Sequence, residues 1–171
     1  RLWEEEVILW HDEMGQYLKE IDAFDQLVTT SAADSQLDEL ADQEGIDIIQ
    51  YHTYPAQKLV NDLLNKDDNF LMDHPETSVI CGEYGYANNG VVPYDEQRLA
   101  IWSSIFSQVP HLTWRWGEYC ETEWTDLFKA PATFMEEEEI MEQEEWFDWS
   151  ISVNSSISGL RTKGFTQNNQ N

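Results

Sequence analysis

The sequence predicts an α/β fold built on a parallel sheet. Two observations carry this. Short β-rich runs recur at 27–30, 46–51, 78–81 and 111–116, and helical patterns lie between them. The second run holds the continuous apolar pair Ile48-Ile49, as a strand buried on both faces does. Strands alternating with helices call for parallel pairing, because each helix carries the chain back to the start of the next strand.

Taken in order, Trp3, Val7, Trp10, Met14, Leu18 and Ile21 recur at intervals of three and four. They predict an amphipathic helix with that stripe inward and Glu4, Glu5, Glu6, Asp12 and Glu13 toward solvent. Leu27–Thr30 is the first strand. A polar stretch over 31–44, with one helical turn near Leu37–Leu40, leads to the second. A helix over 56–70 turns Leu59, Val60, Leu63 and Leu64 inward, and Pro75 stops that segment. Ser78–Cys81 is the third strand. Asp95 is the expected N-cap of the next helix, with Leu99, Trp102 and Phe106 inward and Pro110 after its end. His111–Trp116 is the fourth strand. Residues 132–146 read as an acidic helix whose run Glu136–Glu139 is a solvated face. Loose alternation over 149–165 reads as the start of a β-rich module, followed by a Gln/Asn tail. No internal repeat is present.

Composition bounds the partners. Nine basic residues stand against 34 acidic ones, a formal net charge of −25. Such a surface repels nucleic acid and anionic membranes, which are bound through Lys and Arg, whereas a neutral polymer carries no such penalty. At 41% hydrophobic and 13% aromatic residues, the chain has the apolar area that a disordered acidic tail lacks. Eight Trp suit both a core and the flat faces that stack on sugar rings. Two cysteines, Cys81 and Cys120, form no disulfide framework or CxxC pair, and no apolar run is long enough to span a membrane. The chain opens at Arg1 within a helical pattern and without a leader-like segment, so a piece of a longer polypeptide is expected.

Chemistry is expected where strands become loops. The second strand runs into Gln50-Tyr51-His52-Thr53-Tyr54, the third into Gly82-Glu83-Tyr84-Gly85 and the fourth into Trp114-Arg115-Trp116. Thirty-one residues separate His52 from Glu83, and as many separate Glu83 from Trp114, reasonable lengths for one βα unit. Other hydrolytic signatures are missing. There is no Gly-x-Ser-x-Gly elbow, and His11, His52, His74 and His111 are scattered with no His-Glu-x-x-His helix.

This order resembles clan A of the glycoside hydrolases, most closely family 5, over roughly residues 1–130. The resemblance rests on Gly82-Glu83-Tyr84-Gly85, on His52 and Tyr54 in the strand before it, and on Trp114 and Trp116 in the strand after it. The helix holding Trp10-His11-Asp12-Glu13-Met14 and the run Leu27-Val28-Thr29-Thr30-Ser31 add to it. The resemblance implies a partial (β/α)8 TIM barrel, about strands five to eight with their helices, over 1–147. The start of a C-terminal β module follows over 148–171.

It further implies retaining hydrolysis of a β-linked polysaccharide or oligosaccharide. Glu83 is then the catalytic nucleophile, and His52, Tyr54, Trp114 and Trp116 bind substrate. The implied protein has no cofactor or metal and is extracellular or periplasmic. Its relatives take their acid/base from an Asn-Glu pair, which these 171 residues lack. The expected partner is therefore the other half of the same barrel, with little activity in this piece alone. The alternative is a non-catalytic, carbohydrate-binding or degenerate barrel.

Overall fold

The computed structural model describes residues 2–33, 37–87, 92–107, 109–113, 122–137, 147–148 and 165–166. Helix α1 (Leu2–Ile21) precedes strand β1 (Thr29–Ala33), followed by the short helix α2 (Leu37–Ala41) and strand β2 (Ile48–Thr53). Helix α3 (Leu59–Asp73), strand β3 (Ser78–Tyr84), helix α4 (Tyr94–Ser107) and strand β4 (His111–Thr113) continue the alternation. Helices α5 (Thr122–Asp126) and α6 (Lys129–Glu137) come next. The fold is mixed α/β, with four parallel strands in the order β1-β2-β3-β4.

One face of this sheet carries the core. Ile49 and Tyr51 of β2 and Val79, Cys81 and Tyr84 of β3 are buried with Ile8, Leu40, Leu59, Leu63, Phe70 and Ala100 from helices α1 to α4. On β2 the alternate residues Ile48, Gln50 and His52 are only half-buried. The strand is therefore covered on one face among the described residues, against the two-sided burial expected from Ile48-Ile49. The open face is the one that carries His52.

Helix α1 departs most from expectation. Its buried side runs through Ile8 and Gly15, while Trp10, Leu18 and Ile21 of the predicted inner stripe are 56, 50 and 58% exposed. Close polar contacts decide this orientation. Asp12 accepts the Gly45 N–H at 2.8 Å, His11 Nδ1 lies 3.0 Å from Thr30 Oγ1, and Lys19 reaches Asp47 at 2.7 Å. A Cβ on Gly15 would lie 2.2 Å from the Gly45 carbonyl oxygen, which is backbone and cannot swing aside. Alanine normally stabilises a helix interior by about 1 kcal/mol over glycine. Here Gly15→Ala is expected to destabilise by about 2 kcal/mol through overpacking, read as a lower urea midpoint.

Strand β1 begins two residues later than expected, and Leu27 is exposed. Pairing is anchored at Val28, whose carbonyl accepts the Asp47 N–H and whose N–H donates to the Asp47 carboxylate. The Lys19 ammonium, then the Val28 N–H, hold the Asp47 carboxyl below the usual aspartate range. A lowered folded-state pKa adds stability that is complete above about pH 4 and is lost as the pH falls below it. Asp47→Asn is expected to narrow the stability difference from wild type on acidification, measured by urea unfolding from neutral to acid pH.

Helix α3 starts at Leu59 rather than at residue 56, because Lys58 sits in the left-handed region with φ 59°. Its first N–H is taken by Glu96 of α4, which also accepts the Tyr86 hydroxyl. Leu59, Leu63 and Leu64 are buried as predicted, and Val60 packs at the edge of the core. Helix α4 begins at Tyr94, so Asp95 lies in its first turn and is not the N-cap. Its buried residues are Gln97, Ala100, Ile101 and Ser107, and Leu99 is exposed. Trp102 and Phe106 stack on each other and meet Phe134 of α6 instead. Glu136 and Glu137 are exposed, as a solvated face requires, and residues 138–146 lie outside the described set. The C-terminal residues 147–148 and 165–166 pair as two short antiparallel strands, β5 (Phe147–Asp148) and β6 (Phe165–Thr166); the strands expected between them lie outside the described residues.

Candidate active site

The site forms where β2 and β3 leave the sheet. In a regular parallel pair, Gly82 would stand beside His52, and Glu83 would point to the helix side. Instead the register slips. Tyr51 pairs with Cys81, but His52 pairs with Glu83 and Thr53 with Tyr84. This one-residue bulge at Gly82 turns Glu83 onto the open face with His52, while returning Tyr84 to the core. Strand β3 thus runs on through Glu83 to Tyr84, past its expected end at Cys81.

The exit of β2 is clamped from below. Thr53 is buried, donates to Asp62 of α3 and accepts from Lys66 at 2.9 Å. The Gly85 N–H donates to the Thr53 carbonyl and the Ala87 N–H to Pro55, so the two exits run side by side. Tyr54 lies between them.

Three of the five expected site residues meet there. The Tyr54 hydroxyl donates to Glu83 Oε2, and His52 Nδ1 lies 3.4 Å from the same oxygen. The His52 and Glu83 side chains are 14 and 24% exposed, so they are partly sheltered but reachable. Burial, then the hydrogen bond to Glu83, pushes the Tyr54 phenol above its ordinary range, so it stays an O–H donor at neutral pH. A donor fixed on one carboxylate oxygen orients the group and leaves the other oxygen free of Tyr54. Trp114 and Trp116 lie outside the described residues.

Two further residues join the cluster. Ser31 Oγ lies 2.9 Å from His52 Nε2, and the Gln50 amide nitrogen is 3.1 Å from that same ring nitrogen. Gln50 stands two residues before His52, so strand periodicity alone puts both on one face. Ser31 is level with Gln50 across the β1–β2 pair, which only the register discloses. Gly82 borders this cluster from β3. It lies within the strand, and a Cβ on it would meet Gln50 Nε2 at 2.3 Å.

Ser31, His52 and Glu83 also stand in the order of a serine-hydrolase triad. Ser31, however, is inside a strand and not on a strand-to-helix elbow, and Gln50 shares the ring nitrogen a serine base would need. Among the described residues no group of three or more His, Cys, Asp or Glu is placed to hold a metal ion, and no helix is long and apolar enough to cross a membrane.

A second polar cluster lies on the core side of the sheet. Asp67 of α3 is fully buried, accepts the Tyr51 hydroxyl at 2.6 Å and lies 2.9 Å from His111 Nε2. His111 Nδ1 has no hydrogen-bond partner among the described residues. An unpaired buried acceptor costs less than an unpaired N–H, so the ring presents its proton from Nε2 to Asp67. Cys81 sits beside Tyr51, and burial pushes its thiol up to about 12. That thiol is a packed core group and not a nucleophile.

The chain matches no family model, no curated protein and no solved structure.

Proposed function

We propose that this chain carries the nucleophile side of a retaining glycoside hydrolase of the family 5 type, acting on a β-linked polysaccharide or oligosaccharide. The observation that carries the reading is the bulge that sets Glu83 level with His52, with the Tyr54 hydroxyl donating to the Glu83 carboxylate. In this reading Glu83 attacks the anomeric carbon while a second carboxyl group, about 5–5.5 Å away, protonates the leaving oxygen. A glycosyl ester on Glu83 forms, and water then releases the sugar with net retention. Tyr54 holds the carboxylate oriented through its hydroxyl, and Trp114 and Trp116 supply the stacking platform.

The sheet order supports a sector of a (β/α)8 barrel. Four parallel strands run in sequence order, with helices α1 to α4 packed into one core on one face. The half-buried face of β2 and the exposed apolar stripe of α1 support a complementary half-barrel as partner. That half supplies the acid/base, since no Asn-Glu pair occurs in the sequence. The same lack favours the second reading, a carbohydrate-binding barrel without chemistry. The full-length protein and its Glu83→Gln form, assayed on a panel of β-glycans, decide between them: hydrolysis abolished by Glu83→Gln supports the enzyme, and retained binding with no hydrolysis in either supports the second reading.

A further inference from the structure

We propose that Gln50 is a positioning residue that fixes which nitrogen of His52 carries the proton, so that an Nδ1–H faces Glu83, and that Gly82 gives Gln50 the space to do so. The catalytic consequence rests on the glycosidase reading; the proton placement does not.

The assignment follows from matching donors to acceptors. The Gln50 amide nitrogen, 3.1 Å from His52 Nε2, is donor only, so that ring nitrogen must offer a lone pair. A neutral imidazole then carries its hydrogen on Nδ1. On that side lie the Glu83 carboxylate, 3.4 Å away, and the Tyr54 oxygen, also 3.4 Å away. Ionised Glu83 only accepts, and Tyr54 has already given its hydrogen to Glu83, so both present lone pairs to Nδ1. Turning the Gln50 amide over would move the ring proton to Nε2 and set the Nδ1 lone pair against the carboxylate. Ser31, at 2.9 Å from Nε2, does not decide the matter, because a hydroxyl both donates and accepts.

Gly82 makes the arrangement possible. The Gln50 side chain lies across β3 at the bulge, and a Cβ on residue 82 would fall 2.3 Å from Nε2, 2.4 Å from Cδ and 2.5 Å from Cγ. These atoms end a flexible side chain, so a larger residue displaces Gln50 and spares the fold. The glycine next to Glu83 thereby acts on His52 through Gln50.

The test is nitrogen NMR of the full-length protein with labelled histidine at about pH 8, above the ordinary histidine range, with His52→Gln assigning the signal. The expected spectrum shows His52 Nδ1 protonated and Nε2 unprotonated. Gln50→Glu, equal in size, turns a donor into an acceptor and is expected to convert Nε2 to the protonated type. Gly82→Ala is expected to give a mixture of tautomers. A wild-type ring protonated on Nε2, alone or with Nδ1, overturns the proposal without any variant having to fold. So does a Gln50→Glu spectrum with Nε2 still unprotonated, and an unchanged Gly82→Ala spectrum removes Gly82 from the role. In the assay, Gln50→Glu is expected to lower kcat about tenfold with little change in KM, the effect of one misdirected hydrogen bond to a charged group. The spectrum is read without substrate. An Nδ1–H ring in a protein that hydrolyses no β-glycan leaves the role of Gln50 standing and removes the glycosidase reading, and hydrolysis with an Nε2–H ring does the reverse.

Discussion

Glu83→Gln is expected to lower kcat on a β-glycan by a factor on the order of 10⁴, between the loss typical of a proton-transfer group and that of a covalent nucleophile. The amide keeps the shape of the carboxylate and can still accept the Tyr54 hydroxyl. It lacks the charge and lone-pair reactivity to attack an anomeric carbon. Folding is therefore expected to change little while chemistry is lost, a separation visible by comparing the urea midpoint with kcat. A 2-deoxy-2-fluoro glycoside should label Glu83 and leave Ser31 unmodified. A label on Ser31 from an acyl-directed reagent, with none on Glu83 from the sugar, would sink the glycosidase assignment. Rates equal in wild type and Glu83→Gln would do the same.

Asp67→Ala is expected to be the most destabilising of these substitutions, by about 2–5 kcal/mol, since each of two buried donors left without an acceptor costs about 1–3 kcal/mol. The side chains of Asp67 and His111 are both fully buried, and Asp67 also accepts from Tyr51. Alanine would strand a phenol and an imidazole N–H in a core that excludes water. Tyr51 underlines the point: burial, and then the Asp67 charge, push its phenol far above the ordinary range, so it stays a donor in need of an acceptor. Asp67→Asn keeps one acceptor oxygen and should cost less. Tyr51→Phe, which removes the donor and keeps the ring, should cost about 1–2 kcal/mol. Denaturant midpoints for the three variants test this order, and a cost under about 1 kcal/mol for Asp67→Ala would show that the network does not hold the core together.

The two predictions concern opposite faces of one sheet, and those faces differ in how far the sequence disclosed them. His52, Tyr54 and Glu83 could be named together because each stands at a strand end, and parallel strands bring their ends to one side. Gln50 was open to the same periodicity, two residues before His52. Ser31 was not, since only strand register brings β1 level with β2. Asp67 and His111 lie 44 positions apart, and no local pattern marks a buried carboxylate that meets its partners through tertiary packing.

Helix faces show the same division. Helix α3 buried the leucines its spacing predicted, because apolar contact with the sheet governs its orientation. Helix α1 did so only in part: with a glycine-to-glycine approach and three polar contacts setting its orientation, Val7 and Met14 are half-buried while Trp10, Leu18 and Ile21 face outward. Periodicity reports which residues share a face, and not which face meets the sheet.

Alternating strand and helix patterns by themselves determined the parallel α/β sheet and its order of elements, because those follow from local periodicity and short connections. Tertiary structure alone decided that Glu83 faces His52. A strict two-residue alternation puts Glu83 on the helix side, and the extra residue at Gly82 reverses it. A bulge is a property of two paired strands, so it is settled only when β2 and β3 come into register.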